Sequence, residues 1–215
     1  MRKRNSSPVI NLTQGLPPPP KLAKSDPFFR HTVNFLERFE IQVVSDPCGR
    51  LGGGAGSSLW SAAHVFLEYM AKIPEDHFRE KRILEVGSGL GIIGIAAALL
   101  GASQVTLTDK ACVLDLLKMN VEANVAVSGI RKDVCQVEKL IWGDPHDHTY
   151  DTILASDVAY DEREAFALSA LAKHNDYILH KPRCQRSLAS TVSYLSRLGE
   201  FTIFAFCPCC LLASD

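Results

Sequence analysis

The 215-residue sequence has no long hydrophobic run, no excess of either charge and no repeated cysteine motif, and each absence removes a class of function. Its longest apolar stretch, residues 92–100, is far short of the roughly 18 residues a membrane-spanning helix needs, so no membrane partner is expected. Lys and Arg total 23 against 24 Asp and Glu, a formal net charge of −1. No global basic field therefore points to nucleic acid. The seven cysteines, at positions 48, 112, 135, 184, 207, 209 and 210, are odd in number and include no second C-x-x-C pair. They read as reduced thiols of a cytoplasmic protein, with the nucleus as the alternative compartment. Cys207-Pro208-Cys209-Cys210 lacks a companion ligand pair at finger spacing, so no metal is expected. Acidic residues are missing before Asp26, while Arg2, Lys3, Arg4, Lys21, Lys24 and four consecutive prolines, 17–20, are present. Residues 1–30 are expected to be a basic, proline-rich disordered tail and residues 31–215 one domain. A basic, acid-free start also suits an organellar presequence, but the proline run opposes the amphipathic helix that such a signal needs.

What is present centres on residues 82–101, RILEVGSGLGIIGIAAALLG. Ile83, Leu84 and Val86 form a short apolar run fit for a strand buried on both faces, and Ile92, Ile93, Ile95, Ala96, Leu99 and Leu100 supply the core positions of a following helix. Between them Gly87, Gly89 and Gly91 permit a tight turn and leave no Cβ where a ligand must approach. A dinucleotide fingerprint would place its third glycine at position 92, which is Ile92. A nicotinamide or flavin cofactor is thus disfavoured. Glu85, two residues before the first glycine, completes Glu-x-Gly-x-Gly-x-Gly, which resembles motif I of the class I S-adenosylmethionine-dependent methyltransferases. A carboxylate beside the turn suits the sulfonium and amino-acid tail of that cofactor; the bland alternative is a turn serving helix packing alone. Eighteen residues after Gly91, a β-branched strand ends in Asp109, where such folds bind ribose hydroxyls. Asp109 can equally cap a helix expected over residues 111–124.

Elsewhere Phe39, Ile41 and Val43 alternate as in a strand of an N-terminal hairpin or cap. Residues 52–56 read as a flexible glycine loop entering a helix whose Leu59, Ala62, Ala63, Phe66, Leu67 and Met70 share one face. Strands are expected over 134–140, 152–155, 177–180 and 201–206, with helices over 161–172 and 187–198. Alternating strands and helices imply an α/β, doubly wound, mostly parallel sheet with its ligand at the carboxyl ends of the strands.

Four further stretches resemble methyltransferase family 16, the seven-β-strand protein-lysine methyltransferases. They are Ser58-Leu59-Trp60-Ser61-Ala62-Ala63, LDLLKMNVEANV, Leu140-Ile141-Trp142-Gly143, and LASDVAYDE over residues 154–162. The resemblance implies a Rossmann-like seven-strand-type sheet, S-adenosyl-L-methionine as cofactor, and a monomer acting on lysine side chains of protein substrates. It places Trp60 beside the cofactor and Trp142 beside adenine, though either can be a core aromatic, and adds Ala155 to the cofactor site. Asp157 and Tyr160 match its Asp-x-x-Tyr signature, where the acceptor nitrogen meets the methyl group; capping and packing of the next helix is the alternative. Nucleic-acid amino-methyltransferases of this class more often carry Asn/Asp-Pro-Pro-Tyr/Phe here, and positions 158 and 159 hold no proline. Family members usually end in two paired strands, whereas this chain passes from FTIFAF into the cysteine cluster, so the C-terminal strand pair is expected to be incomplete. A small-amine or nucleic-acid methyltransferase, or a cofactor-binding interaction module with little catalysis, are the rival readings.

Overall fold

The computed structural model describes residues 28–142 and 149–158, together with the backbone of residues 202–206. An antiparallel hairpin comes first, β1 (Phe29–Phe35) and β2 (Phe39–Ser45), in register from Phe29 opposite Ser45 to Phe35 opposite Phe39. Inward positions Val33, Phe35, Ile41 and Val43 are buried, as period-two alternation requires of a strand with one face on a core. Helix α1 (Ser61–Met70) follows and buries Ala62, Phe66, Leu67 and Met70. Four of the six residues expected on its core face are thus fully covered.

The remaining elements alternate: β3 (Arg82–Val86), α2 (Ile92–Leu99), β4 (Gln104–Asp109), α3 (Leu114–Ser128), β5 (Cys135–Lys139), β6 (Thr152–Ser156) and β7 (Thr202–Phe206). The five strands β3 to β7 form one parallel sheet, ordered β5-β4-β3-β6-β7. This is the expected doubly wound α/β arrangement over the described residues. The chain builds outward from β3 through β4 to β5, then returns to the other side of β3 with β6. That reversal opens a crevice above the carboxyl ends of β3 and β6. Side chains of β3 divide between two cores: Ile83 packs with α2, α3 and the hairpin, while Leu84 and Val86 join Tyr150, Ile153 and Ala155 on the opposite face. Helix α2 is buried along Ile92–Ala97, as a helix apolar on all sides must be.

Two local expectations are revised. Helix α3 begins at Leu114, not at 111, because Lys110 to Val113 first make a turn. Residues 54–57 form a 3-10 turn with several hydrogen bonds where a flexible loop was expected. The neighbour of β6 in the sheet is β7, while the strand expected over 177–180, both later helices and the cysteine cluster lie outside the described residues.

Candidate functional site

At the carboxyl ends of the strands lies a cleft of about 440 Å³, within the range of small-molecule sites. One wall is the turn between β3 and α2. Gly87, Gly89 and Gly91 take φ of 64°, 54° and 77°, the left-handed region that favours glycine. Space matters as much as conformation. A Cβ on Gly91 would lie 2.5 Å from Leu117 Cδ1, and one on Gly87 would lie 2.6 Å from Val158 Cγ1 and 3.4 Å from Trp142 Cζ2. A Cβ on Gly89 would meet the Gly56 backbone across the cleft, its carbonyl oxygen at 3.5 Å and its Cα at 3.9 Å, which is ordinary contact.

Hydrogen bonds lock this turn to β4. Gly89 N–H donates to Asp109 Oδ2 at 2.8 Å, and Lys110 N–H donates to Asp109 Oδ1 at 2.7 Å. Ser88 N–H donates to the Thr108 carbonyl, Thr108 N–H returns a bond to Ser88 Oγ, and Thr108 Oγ1 donates to the Glu85 carbonyl. Asp109 therefore holds the glycine turn and does not cap α3, whose first turn receives no side-chain cap. Each of its oxygens accepts one bond and keeps a lone pair for a ligand hydroxyl. Burial pushes the Asp109 carboxyl above its ordinary range, against the opposing pull of the Gly89 and Lys110 amides.

Glu85 stands beneath the turn, among the residues that line the cleft. It lies at the cleft floor only 2% exposed, and its Oε2 accepts the Gly94 N–H inside the first turn of α2 at 3.1 Å. Burial raises its carboxyl to about 8, and the Asp109 charge adds to that, while Ser88 and Gly94 oppose it. Its place in this geometry is under the turn, fixing helix to strand.

The opposite wall is Gly53, Ala55 and Gly56, with Ser58, Leu59 and Trp60. Trp60 is 53% exposed at the rim, its indole N–H donating to the Ala55 carbonyl at 2.8 Å. Trp142 enters from the β5 side, half-buried on the second core. Neither is a fully buried core aromatic. Asp157 closes the cleft at the end of β6, at φ 56°, a conformation few residues other than glycine adopt and one enriched at functional positions. Burial raises its carboxyl as well. Ala155, at 2% exposure, faces the second core and pairs with Val86, and the adjacent Ser156 lines the cleft. Tyr160 lies outside the described residues.

Sequence reasoning passed over Gly53, Ala55, Gly56, Lys110, Cys112, Val113 and Ser156. The glycine loop was visible as a loop but carried no sign of which wall it makes. Among the described residues no group of His, Cys, Asp and Glu could hold a metal ion, and no helix is long and apolar enough to cross a membrane.

The sequence profile of the lysine methyltransferase family matches residues 48–185. The chain is 37% identical over 125 residues to protein N-lysine methyltransferase METTL21A of Danio rerio, covering 56% of each chain. It is 39% identical over 126 residues to EEF1A lysine methyltransferase 3 of Mus musculus, covering 57% of this chain and 51% of that one. It spans about half the length of the curated relatives it matches. Solved structures similar to it include magnesium protoporphyrin IX methyltransferase of Synechocystis PCC 6803 with bound SAH, with TM-score 0.42, 19% identity, and 53% of this chain and 50% of that one covered. Another is a tRNA (uracil-54, C5)-methyltransferase of Pyrococcus abyssi, with TM-score 0.46, 17% identity, and 69% of this chain and 31% of that one covered. With its family match running through the glycine turn, Asp109 and Asp157, the chain belongs to the lysine methyltransferase family.

Proposed function

We propose that this protein is an S-adenosylmethionine-dependent protein-lysine N-methyltransferase that works by direct in-line transfer. One observation carries the reading: Asp157, held in a left-handed conformation, shares a single cleft with Asp109 and the glycine turn. Family membership and the names of the relatives support it. The residues present suit the cofactor. Gly87 and Gly89 keep backbone, not side chain, at the cleft wall, and Asp109 has acceptor capacity left for ribose hydroxyls. Trp60 and Trp142 offer flat apolar surface on either side.

When bound, S-adenosylmethionine supplies a methyl group already activated by its sulfonium. The protein must then present a lone pair in line with it. A lysine amine has a reference pKa of about 10.4 and is protonated at neutral pH. Asp157 can accept a charge-assisted hydrogen bond from that ammonium and fix the nitrogen's position. Its raised carboxyl is also closer to the range in which a group takes up a proton. Alignment supplies most of the acceleration for such a transfer.

The test measures binding and turnover side by side. Calorimetry with S-adenosylhomocysteine and transfer of label from S-adenosylmethionine to lysate proteins are compared for wild type and Asp157→Ala. The variant should keep its affinity within about threefold and lose label incorporation by roughly a hundredfold or more. Wild-type protein that binds no cofactor, or a variant that transfers at the wild-type rate, would overturn the assignment.

A further inference from the structure

A polar relay runs from the hairpin to the glycine-loop wall of the cleft. Asn120 and Asn124, one helical turn apart on α3, clasp the free edge of β2 as a neighbouring strand would. Asn124 Oδ1 accepts the Gln42 N–H at 2.8 Å and its Nδ2 donates to the Gln42 carbonyl at 2.7 Å. Asn120 repeats the pair on Val44 at 2.7 and 2.8 Å. Both asparagines are fully buried. They index β2 to α3 at a fixed register.

Two residues past Val44 comes Asp46, which is 0% exposed. Its N–H donates to the Ser57 carbonyl at 2.9 Å, its carbonyl accepts the Gly49 N–H at 2.9 Å, and its Oδ2 accepts the Leu51 N–H at 2.7 Å. Its Oδ1 is buried without a hydrogen-bond partner among the described residues. Burying a carboxylate with one oxygen unsatisfied is costly. The carboxylate holds Leu51, two residues before the cleft wall begins at Gly53, while the Asp46 backbone holds Ser57 at its far end. Ser57 Oγ donates to the Gly54 carbonyl at 2.6 Å, a Cβ on Gly53 would sit 3.2 Å from Ser57 Cβ, and one on Gly56 would press Val113 at 2.8 Å. Across the opening the Gly56 carbonyl faces Gly89. Asp46 does not itself line the cleft.

We infer that Asp46 is a positioning residue for cofactor binding: anchored by the Asn120 and Asn124 clasp, it sets the distance between the 53–56 wall and the glycine turn. This deepens the proposed function and rests on it. The consequence is a variant class that changes cofactor affinity from outside the cleft.

The experiment is calorimetry with S-adenosylhomocysteine on the full chain, well below the melting temperature, beside thermal unfolding of the ligand-free protein. Asp46→Ala should raise the Kd by roughly tenfold, a loss of one charge-assisted hydrogen bond. Asp46→Asn keeps an acceptor for Leu51 N–H and should return the Kd to within about threefold of wild type. Ser57→Ala, which removes one hydroxyl, is the variant to use if Asp46→Ala does not fold, and should raise the Kd by about threefold with little change in melting. Lowered melting with an unchanged Kd in Asp46→Ala, or an unchanged Kd in Ser57→Ala, would overturn the inference. Wild-type protein that binds no S-adenosylhomocysteine would instead remove the functional reading on which it rests.

Discussion

The turn 87–91 and the loop 49–56 supply facing walls of one cleft, through residues 87–90 and through Gly53, Ala55 and Gly56, yet glycine serves a different need in each. In the first segment conformation and crowding coincide. Gly87 and Gly91 have positive φ, and a Cβ on either would strike packed side chains at 2.6 and 2.5 Å. In the second the two needs are separated. Gly49, Gly52 and Gly54 have positive φ with nothing within 4 Å of a Cβ, whereas Gly53 and Gly56 lie outside that region and are tightly packed. The first wall is part of the core, wedged between α2, α3 and β6. The second is an excursion held by a few polar bonds. A rigid floor that fixes one side of a ligand, faced by a wall set through hydrogen bonds, allows affinity to vary without disturbing the fold.

The sharpest way to break this comparison is Gly91→Ala. The new methyl would overlap Leu117 Cδ1 and lie 2.9 Å from Leu107 Cδ2, at φ 77°. Overpacking costs about 1–3 kcal/mol and left-handed strain about 1–2 kcal/mol, so unfolding stability should drop by about 2 to 5 kcal/mol. Urea denaturation measures it. A loss under 1 kcal/mol would mean that the first wall is as loosely supported as the second.

The two walls also rest on different carboxyls, and pH separates them. Glu85 under the first wall is raised from 4.5 to about 8, chiefly by burial. The folded protein therefore holds this proton more tightly than the unfolded chain does, and stability falls as pH climbs from about 4.5 to about 8. Glu85→Gln retains an acceptor for the Gly94 N–H and removes the titration. Relative to wild type, the variant should gain stability across that window, on the order of 5 kcal/mol by its upper end, with the difference flat beyond. The check is the urea midpoint of both proteins from pH 5 to 9. A constant difference throughout would show that Glu85 is ionised in the folded state at all these values.

Much of the first wall was legible in the sequence, and little of the second. The strand, glycine turn and helix over 82–101 are adjacent in the chain, so their register follows from local spacing. Asp109 could be placed because β4 pairs with β3 in parallel, which brings its end beside the turn. Its bond to Gly89 could not be foreseen, since ribose binding and capping were both open to it. Glu85 could be placed beside the turn from motif spacing, whereas its bond to the Gly94 amide is not legible from spacing. The relay through Asn120, Asn124 and Asp46 joins residues up to 82 apart, and nothing local marks an asparagine that will clasp a distant strand. The short apolar β6 does not show which of its faces turns toward the cleft, so Ser156 was not legible as a lining residue.

The smallest expected effect sharpens the comparison most finely. Gly52 has φ 77°, open space where a Cβ would go, and a single backbone bond from its N–H to the Gly49 carbonyl. It is exposed and does not line the cleft. Gly52→Ala thus meets conformational strain and no clash, partly offset by the reduced freedom of the unfolded chain. The net loss should be about 1 kcal/mol or less. Gly52→Asn should recover part of it, because asparagine tolerates the left-handed region better than alanine. Neither variant should alter S-adenosylhomocysteine affinity by more than about twofold, since the bonds of Asp46 and Ser57 are untouched. Paired urea denaturation and calorimetry supply both numbers. If Gly52→Ala weakened binding as much as Asp46→Ala, the loop would owe its position to backbone conformation along its whole length, and the carboxylate would be one support among several.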